Sequence, residues 1–287
     1  MLRARFLLIL AAIGLLACQP ADPVADQTAA TGDAERIISL APNLTELVFA
    51  AGAGDKLVGV VEYSDYPFAA RSLKRVGDSF RVDFETIRTL APDLVLVWPS
   101  GNPIAIVSRL RELGYRVVEV EPTELESIAS QIELIGSYAG TSKTASINAE
   151  KFRQQLTTLR QRYSDAPVVR VFYQIAAKPY FTVGGQHYIN SALELCGGES
   201  IFSRLPELAP SVTLESVLAA NPEAIIASVS GDDTSWQASW LKWRSVSAVA
   251  QANLYSVNAD LISRSGPRVV EGIGQICAAL DEARKKR

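Results

Sequence analysis

The longest periodic pattern lies at the middle of the chain. From 142 to 163, Ala145, Ala149, Phe152, Leu156, Leu159 and Tyr163 recur in steps of four and three, with Lys143, Glu150, Arg153, Gln154, Arg160 and Gln161 between them. That spacing gathers the apolar residues on one face of an α-helix. Thr141 or Ser142 caps its start after Gly140, and Ser164-Asp165-Ala166-Pro167 ends it. Such a helix spans roughly 33 Å, longer than most connections inside a compact domain. On either side, short apolar runs alternate with helical patterns. The first region predicts strands at 36–40, 57–61, 94–98 and 116–120, with helices at 83–90, 104–113 and 125–138. An earlier helix follows Pro42, with Asn43 and Glu46 as a capping pair and Gly52 at its end. The second region predicts strands at 168–175, 180–183, 224–228 and 254–257 and helices at 189–196 and 267–283. Strands alternating with helices imply mainly parallel sheets. The expected fold is α/β: two lobes, each a mainly parallel sheet flanked by helices, joined by a single long helix. The boundaries are 35–140, 141–166 and 167–287.

One unit recurs in both lobes. Asp83-Phe84-Glu85-Thr86-Ile87 followed by Ala91-Pro92-Asp93-Leu94-Val95-Leu96 parallels Thr213-Leu214-Glu215-Ser216-Val217 followed by Asn221-Pro222-Glu223-Ala224-Ile225-Ile226. Each is a capped short helix, a proline turn and a buried strand, and Glu85 and Glu215 occupy equivalent places. Two similar lobes enclose a cleft, a common place for a small ligand.

Composition changes the picture mainly at the N-terminus. Arg3 and Arg5 precede an apolar stretch, 6–16, too short to span a bilayer comfortably. It ends in Leu15-Leu16-Ala17-Cys18, similar to the bacterial lipobox, so 1–18 reads as a lipoprotein signal peptide and Cys18 as the lipidated residue. An ordinary signal peptide with a coincidental cysteine is the alternative. Residues 19–34 are small, polar and aperiodic, a flexible tether. Export to an oxidising compartment leaves Cys196 and Cys277 as a pair. A disulfide is expected there, with two buried free thiols as the alternative; the chain-entropy model gives about 4.5 kcal/mol for a loop of that size. A net charge of −3 argues against nucleic acid as a partner.

Catalytic constellations are scarce. A single histidine, His187, excludes a site built from several, and its Gly184-Gly185-Gln186 approach reads as a loop. Nothing resembles a nucleophile elbow or a phosphate loop. No catalytic residue, resident metal or cofactor is expected. The aromatic residues say more. Tyr63 and Trp98 follow predicted strands, Phe80 lies in a loop, and Tyr180 and Phe181 offer a facing wall from the second lobe. Asp260, Leu261, Ile262, Ser263 and Arg264 form a loop before the last helix. In parallel sheets, ligands bind beyond the carboxyl ends of strands, and aromatic planes with a few polar groups suit a large, flat, partly apolar ligand. The Trp236, Trp240, Trp243 stripe reads as core.

From these residues the chain resembles the substrate-binding proteins of bacterial ABC importers for cobalamin, ferric siderophores and haem, over about 35–284. The motifs Tyr63-Ser64-Asp65-Tyr66-Pro67, Pro92-Asp93-Leu94-Val95, Leu195-Cys196-Gly197-Gly198-Glu199-Ser200-Ile201-Phe202 and Ser265-Gly266-Pro267-Arg268 lie closest to the cobalamin-binding members. The resemblance implies a non-enzymatic periplasmic protein that carries a corrinoid to an inner-membrane permease dimer with its ATPase. A ferric siderophore or haem is the alternative cargo; a secreted α/β hydrolase or a scaffold lipoprotein represents a different class. It implies that Tyr63 and Asp260–Arg264 contact the corrin, that Trp98 lies near the cleft, that Cys196 and Cys277 pair, and that Glu85 and Glu215 dock onto permease arginines. Ser79 and about Ala209 stand where those members have cleft tryptophans, and Leu261 and Ile262 replace an aromatic pair.

Overall fold

The computed structural model describes residues 32–177 and 179–287. The expected signal peptide, the expected lipidation site at Cys18 and most of the expected tether lie outside the described residues. The tether ends sooner than expected: Ala34 is buried in the core, and its N–H donates to the Tyr138 carbonyl at 2.7 Å.

The first lobe runs β1 Ile37–Ser39, α1 Pro42–Ala50, β2 Leu57–Val60, β3 Lys74–Arg75, α2 Phe84–Leu90, β4 Leu94–Val97, α3 Ile104–Glu112, β5 Val117–Glu119 and α4 Ser127–Tyr138. Its five strands are all parallel, in the order β3-β2-β1-β4-β5. Helix α5, Ser142–Tyr163, then leads into the second lobe. There the elements are β6 Val169–Gln174, β7 Ala176–Ala177, β8 Tyr180–Phe181, α6 Tyr188–Leu195, β9 Gly198–Ser200, β10 Ser211–Val212 and α7 Leu214–Ala220. They continue as β11 Ala224–Val229, α8 Ser235–Ala238, α9 Ser247–Ala250, β12 Leu254–Asn258, α10 Ala259–Ile262 and α11 Val269–Lys285. The main sheet here is parallel, β12-β11-β6-β9, with a small antiparallel sheet, β10-β8-β7, beside it.

Alternation along the strands explains the layers. Leu94 and Leu96 of β4, and Val169, Val171 and Tyr173 of β6, enter one apolar cluster that also takes in Ala145, Ala149, Phe152, Leu156 and Tyr163 of α5. Val95 and Val97 point to a second cluster on the opposite face of the first sheet, and Phe172 and Ile225 to a third. The linker helix therefore shares one core with both lobes. A Cβ on Gly136 would lie 2.3 Å from that of Ala145, so glycine lets α4 pack closely on α5. Arg153 binds Glu133 with both ends of its fork, at 2.9 and 2.6 Å, and Arg160 pairs with Glu126. Trp236 and Trp240 are buried in the third cluster and Trp243 packs against it.

The repeat is also visible in three dimensions. Asp83 and Thr213 cap α2 and α7 through their side chains, and both helices end on left-handed residues, Ala91 and Asn221. Asp93 accepts the Arg36 N–H at 3.0 Å and Glu223 accepts that of Arg170 at 2.8 Å. Each of those arginines donates in turn to the end of its short helix, at the Leu90 and Ala220 carbonyls.

Candidate functional site: the cleft between the lobes

In the first sheet the strand order reverses between β1 and β4, and the crevice beyond their carboxyl ends is where α/β proteins bind ligands. Trp98 follows β4 directly. Its indole N–H donates to Glu121 Oε1 at 2.8 Å, and Glu121 also accepts from Ser100. Asn102 takes the Trp98 backbone N–H at 2.7 Å and ties the turn to the Leu40 and Ser79 carbonyls. Any Cβ at position 101 would fall 1.9 Å from the indole, so Gly101 allows the ring to lie over its own turn. The indole is anchored by its polar edge, ready for a ligand without further ordering cost.

Trp98, Glu121 and Thr123 form one wall of a pocket of about 330 Å³; His187, Tyr188, Leu208 and Ser265 of the second lobe face them. His187 is the N-cap of α6, its Nδ1 accepting the Ile189 N–H at 3.1 Å. Burial pushes this imidazole down to about 4. Tyr188 packs tilted against His187, at 31° with centroids 4.7 Å apart, and donates its hydroxyl to the Ile262 carbonyl at 2.7 Å. Burial raises its pKa, and the neighbouring Tyr173 adds to the shift.

Beside this pocket a charged network spans the lobes. Arg268 binds Glu46 through Nε at 2.9 Å and Nη2 at 2.6 Å. Arg264 donates to Asp65 at 2.7 Å, to Asp260 at 2.9 Å and to Glu46 at 3.4 Å. Asn43 donates to the Ser265 hydroxyl at 3.1 Å, and the Arg268 guanidinium lies 3.9 Å from the Tyr66 ring centroid. The Glu46 side chain is 2% exposed. Partial burial disfavours the Asp65 carboxylate, but hydrogen bonding and charge from Arg264 outweigh it and hold the group below the usual range. Asn43 and Glu46 are therefore not the expected capping pair: α1 starts at Pro42, and both side chains turn to the other lobe.

The expected site residues separate into groups. Trp98 alone of them lines the pocket. Tyr63, at a φ of +64° and 77% exposed, and Phe80, 70% exposed in a turn closed by Asp78, project from loops after β2 and β3. Phe181 is half-buried on β8, opposite Ser211 and Ala176. The stretch read as a loop at 260–264 begins as α10. Asp260 and Arg264 are bound to each other, Leu261 is half-buried and Ser263 exposed. Ile262 must be withdrawn as a ligand contact, because it is wholly buried in the main core. Glu85 and Glu215 both lie exposed in the first turns of α2 and α7. Cys196 and Cys277 are joined as a disulfide between the end of α6 and α11. Tyr188 and Leu208 went unread, Glu46 was read only as a helix cap and Arg268 only as part of a motif; their partners are too distant in sequence to leave a local pattern.

Two parallel sheets joined by one helix, with a cleft at the carboxyl ends of strands, form the architecture of a solute-binding protein. The chain belongs to the periplasmic binding protein family, whose model matches residues 37–261. It is 39% identical over 254 residues to the vitamin B12-binding protein of Vibrio cholerae serotype O1, covering 88% of this chain and 91% of the relative. The crystal structure of the periplasmic vitamin B12 binding protein of Vibrio cholerae superposes with a TM-score of 0.80, over 88% of this chain and 98% of that one. A periplasmic heme-binding protein from Roseiflexus sp. RS-1 shares the fold at 20% identity, with a TM-score of 0.76 over 88% of this chain and 99% of the other. Among the described residues no helix is long and apolar enough to cross a membrane, and no cluster of His, Cys, Asp and Glu could hold a metal ion.

Proposed function

We propose that this chain captures cobalamin or a closely related corrinoid between its lobes and delivers it to an ABC permease. The observation that carries the reading is the anchored Trp98 facing Tyr188 and Leu208 across the cleft, in a chain 39% identical to a vitamin B12-binding protein. An aromatic plane with few polar groups suits a flat metal chelate. Tyr63, Phe80 and Phe181 extend the apolar border, and Asp260, Ser263 and Arg264 supply its polar edge. The metal arrives within the cargo, and no resident cofactor is needed. Glu85 and Glu215, one on each lobe, are the docking charges for the permease dimer, and lipid on Cys18 holds the protein at the membrane.

Gel filtration with hydroxocobalamin, haemin or a ferric siderophore tests the reading. Cobalamin alone should co-elute, unchanged in its spectrum. Exclusive retention of haemin or the siderophore would replace the assigned cargo, and ester turnover without co-elution would point to an enzyme. Saturation at a hundred times the dissociation constant should stabilise the fold by about 2.7 kcal/mol.

A further inference from the structure

Thr123 and Gln186 line two spaces at once. Above them is the aromatic pocket; below, toward the linker helix, they border a larger polar groove of about 810 Å³. Its walls include Glu124, Arg160 of α5, and Ser191 and Glu194 of α6. Arg160 is occupied by its pairing with Glu126, and Glu194 Oε1 accepts from Asn190 at 2.8 Å. The side chains of Thr123, Glu124, Gln186 and Ser191 make no hydrogen bond with other described residues, either as donor or as acceptor, and the second Glu194 oxygen is likewise free. Concave surfaces with convergent, uncommitted polar groups fix the orientation of a ligand whose apolar part lies next door.

The charges select which polar groups fit. With Arg160 neutralised, Glu124 and Glu194 remain, favouring N–H donors and disfavouring anions. A corrinoid carries primary amides around its ring and a phosphate in its nucleotide loop. Resting on the corrinoid reading above, the geometry points to this groove as a second compartment of the site. It receives the amide-bearing edge of the ring, while the phosphate-bearing edge faces away from α5. Thr123 and Gln186 sit at the junction, and Ser191 and Glu194 set specificity for amide over carboxylate.

Calorimetric titration of the full chain tests this with three probes: cyanocobalamin, its monocarboxylates (one peripheral amide hydrolysed), and dicyanocobinamide, which lacks the nucleotide. At least one monocarboxylate should bind the parent tenfold or more weakly than cyanocobalamin, and Glu194→Gln should recover most of that loss. Ser191→Ala with Thr123→Val should weaken cyanocobalamin and dicyanocobinamide alike, about fivefold or more, with unliganded melting unchanged. Variants that weaken cyanocobalamin but not dicyanocobinamide would put the nucleotide in the groove and overturn the assignment. Parent-like binding of every probe by every variant would remove the compartment while leaving the corrinoid reading intact. No binding of any corrinoid by the parent would overturn both.

Discussion

The two lobes start from the same unit and use their aromatic residues in opposite ways. In the first, Tyr63, Tyr66, Phe68 and Phe80 stand exposed beyond the carboxyl ends of β2 and β3. In the second, Phe172 packs edge-on against Trp240 at 5.7 Å and against Tyr180 at 6.2 Å, inside the core. The second lobe also carries the disulfide and the half-buried His187–Tyr188 pair. The shared unit of short helix, proline turn and strand is scaffold, held by Arg36 and Asp93 in one lobe and by Arg170 and Glu223 in the other. The difference lies in the loops: the first lobe offers apolar surface, the second a braced wall. The Glu46–Arg268 pair keeps the two in register.

The joint between the lobes is most sensitive at that pair. Glu46→Ala leaves Arg268 buried without its partner and should cost about 3–5 kcal/mol in denaturant unfolding. A loss below about 1 kcal/mol would mean that the network behaves as an exposed pair and does not fix the lobes. Replacing Cys196 and Cys277 together by alanine should cost about 2–4 kcal/mol. Hydrogen exchange should show the loss first in α6 and α11; uniform loosening of both lobes would deny the second its special bracing.

His187 makes the contrast pH-dependent. Its folded pKa is about 4 against an ordinary 6.5. Between those values the unfolded chain binds a proton that the folded one refuses. Stability from this group is therefore full above pH 6.5 and falls as the pH drops toward 4. The whole shift corresponds to about 3 kcal/mol, and on the order of 2 is expected because the ring is not wholly enclosed. His187→Asn, which retains a side-chain cap, should flatten this part of the stability–pH curve; an unchanged slope would show that the ring accepts its proton in the folded state.

The smallest effect on folding belongs to Glu85 and Glu215. Each sits in a first turn worth roughly 0.3–1 kcal/mol to a carboxylate, so the double arginine variant should melt close to the parent. It should nonetheless abolish uptake in vesicles carrying the permease, and undiminished uptake would return both residues to helix capping.

Helix α5 was legible to its last residue, because six apolar positions at alternating steps leave no other face to bury. The long parallel strands were legible within a residue or two for the same reason of local pattern. Strands β7, β8 and β10 are two residues each and depend on distant antiparallel partners, so of the three only β8 was anticipated, inside a longer stretch at 180–183. Ile262 was misread because a helical turn directs it inward from a stretch read as loop. Asn43 and Glu46 looked like a local cap, yet they bind residues more than 200 positions away. Trp98 stood out because it ends a predicted strand, just before the Pro99-Ser100-Gly101-Asn102 turn. Its opposite wall, Tyr188 and Leu208, carried no such signal.

The corrinoid is proposed to sit in the space between Trp98 and Leu208. Leu208 is half-exposed, so Leu208→Asp should change stability by no more than about 0.5 kcal/mol. Equilibrium titration with hydroxocobalamin should give one site per chain in the parent and at least tenfold weaker binding in Leu208→Asp and in Trp98→Ala. Parent-like affinity in both variants would contradict that placement.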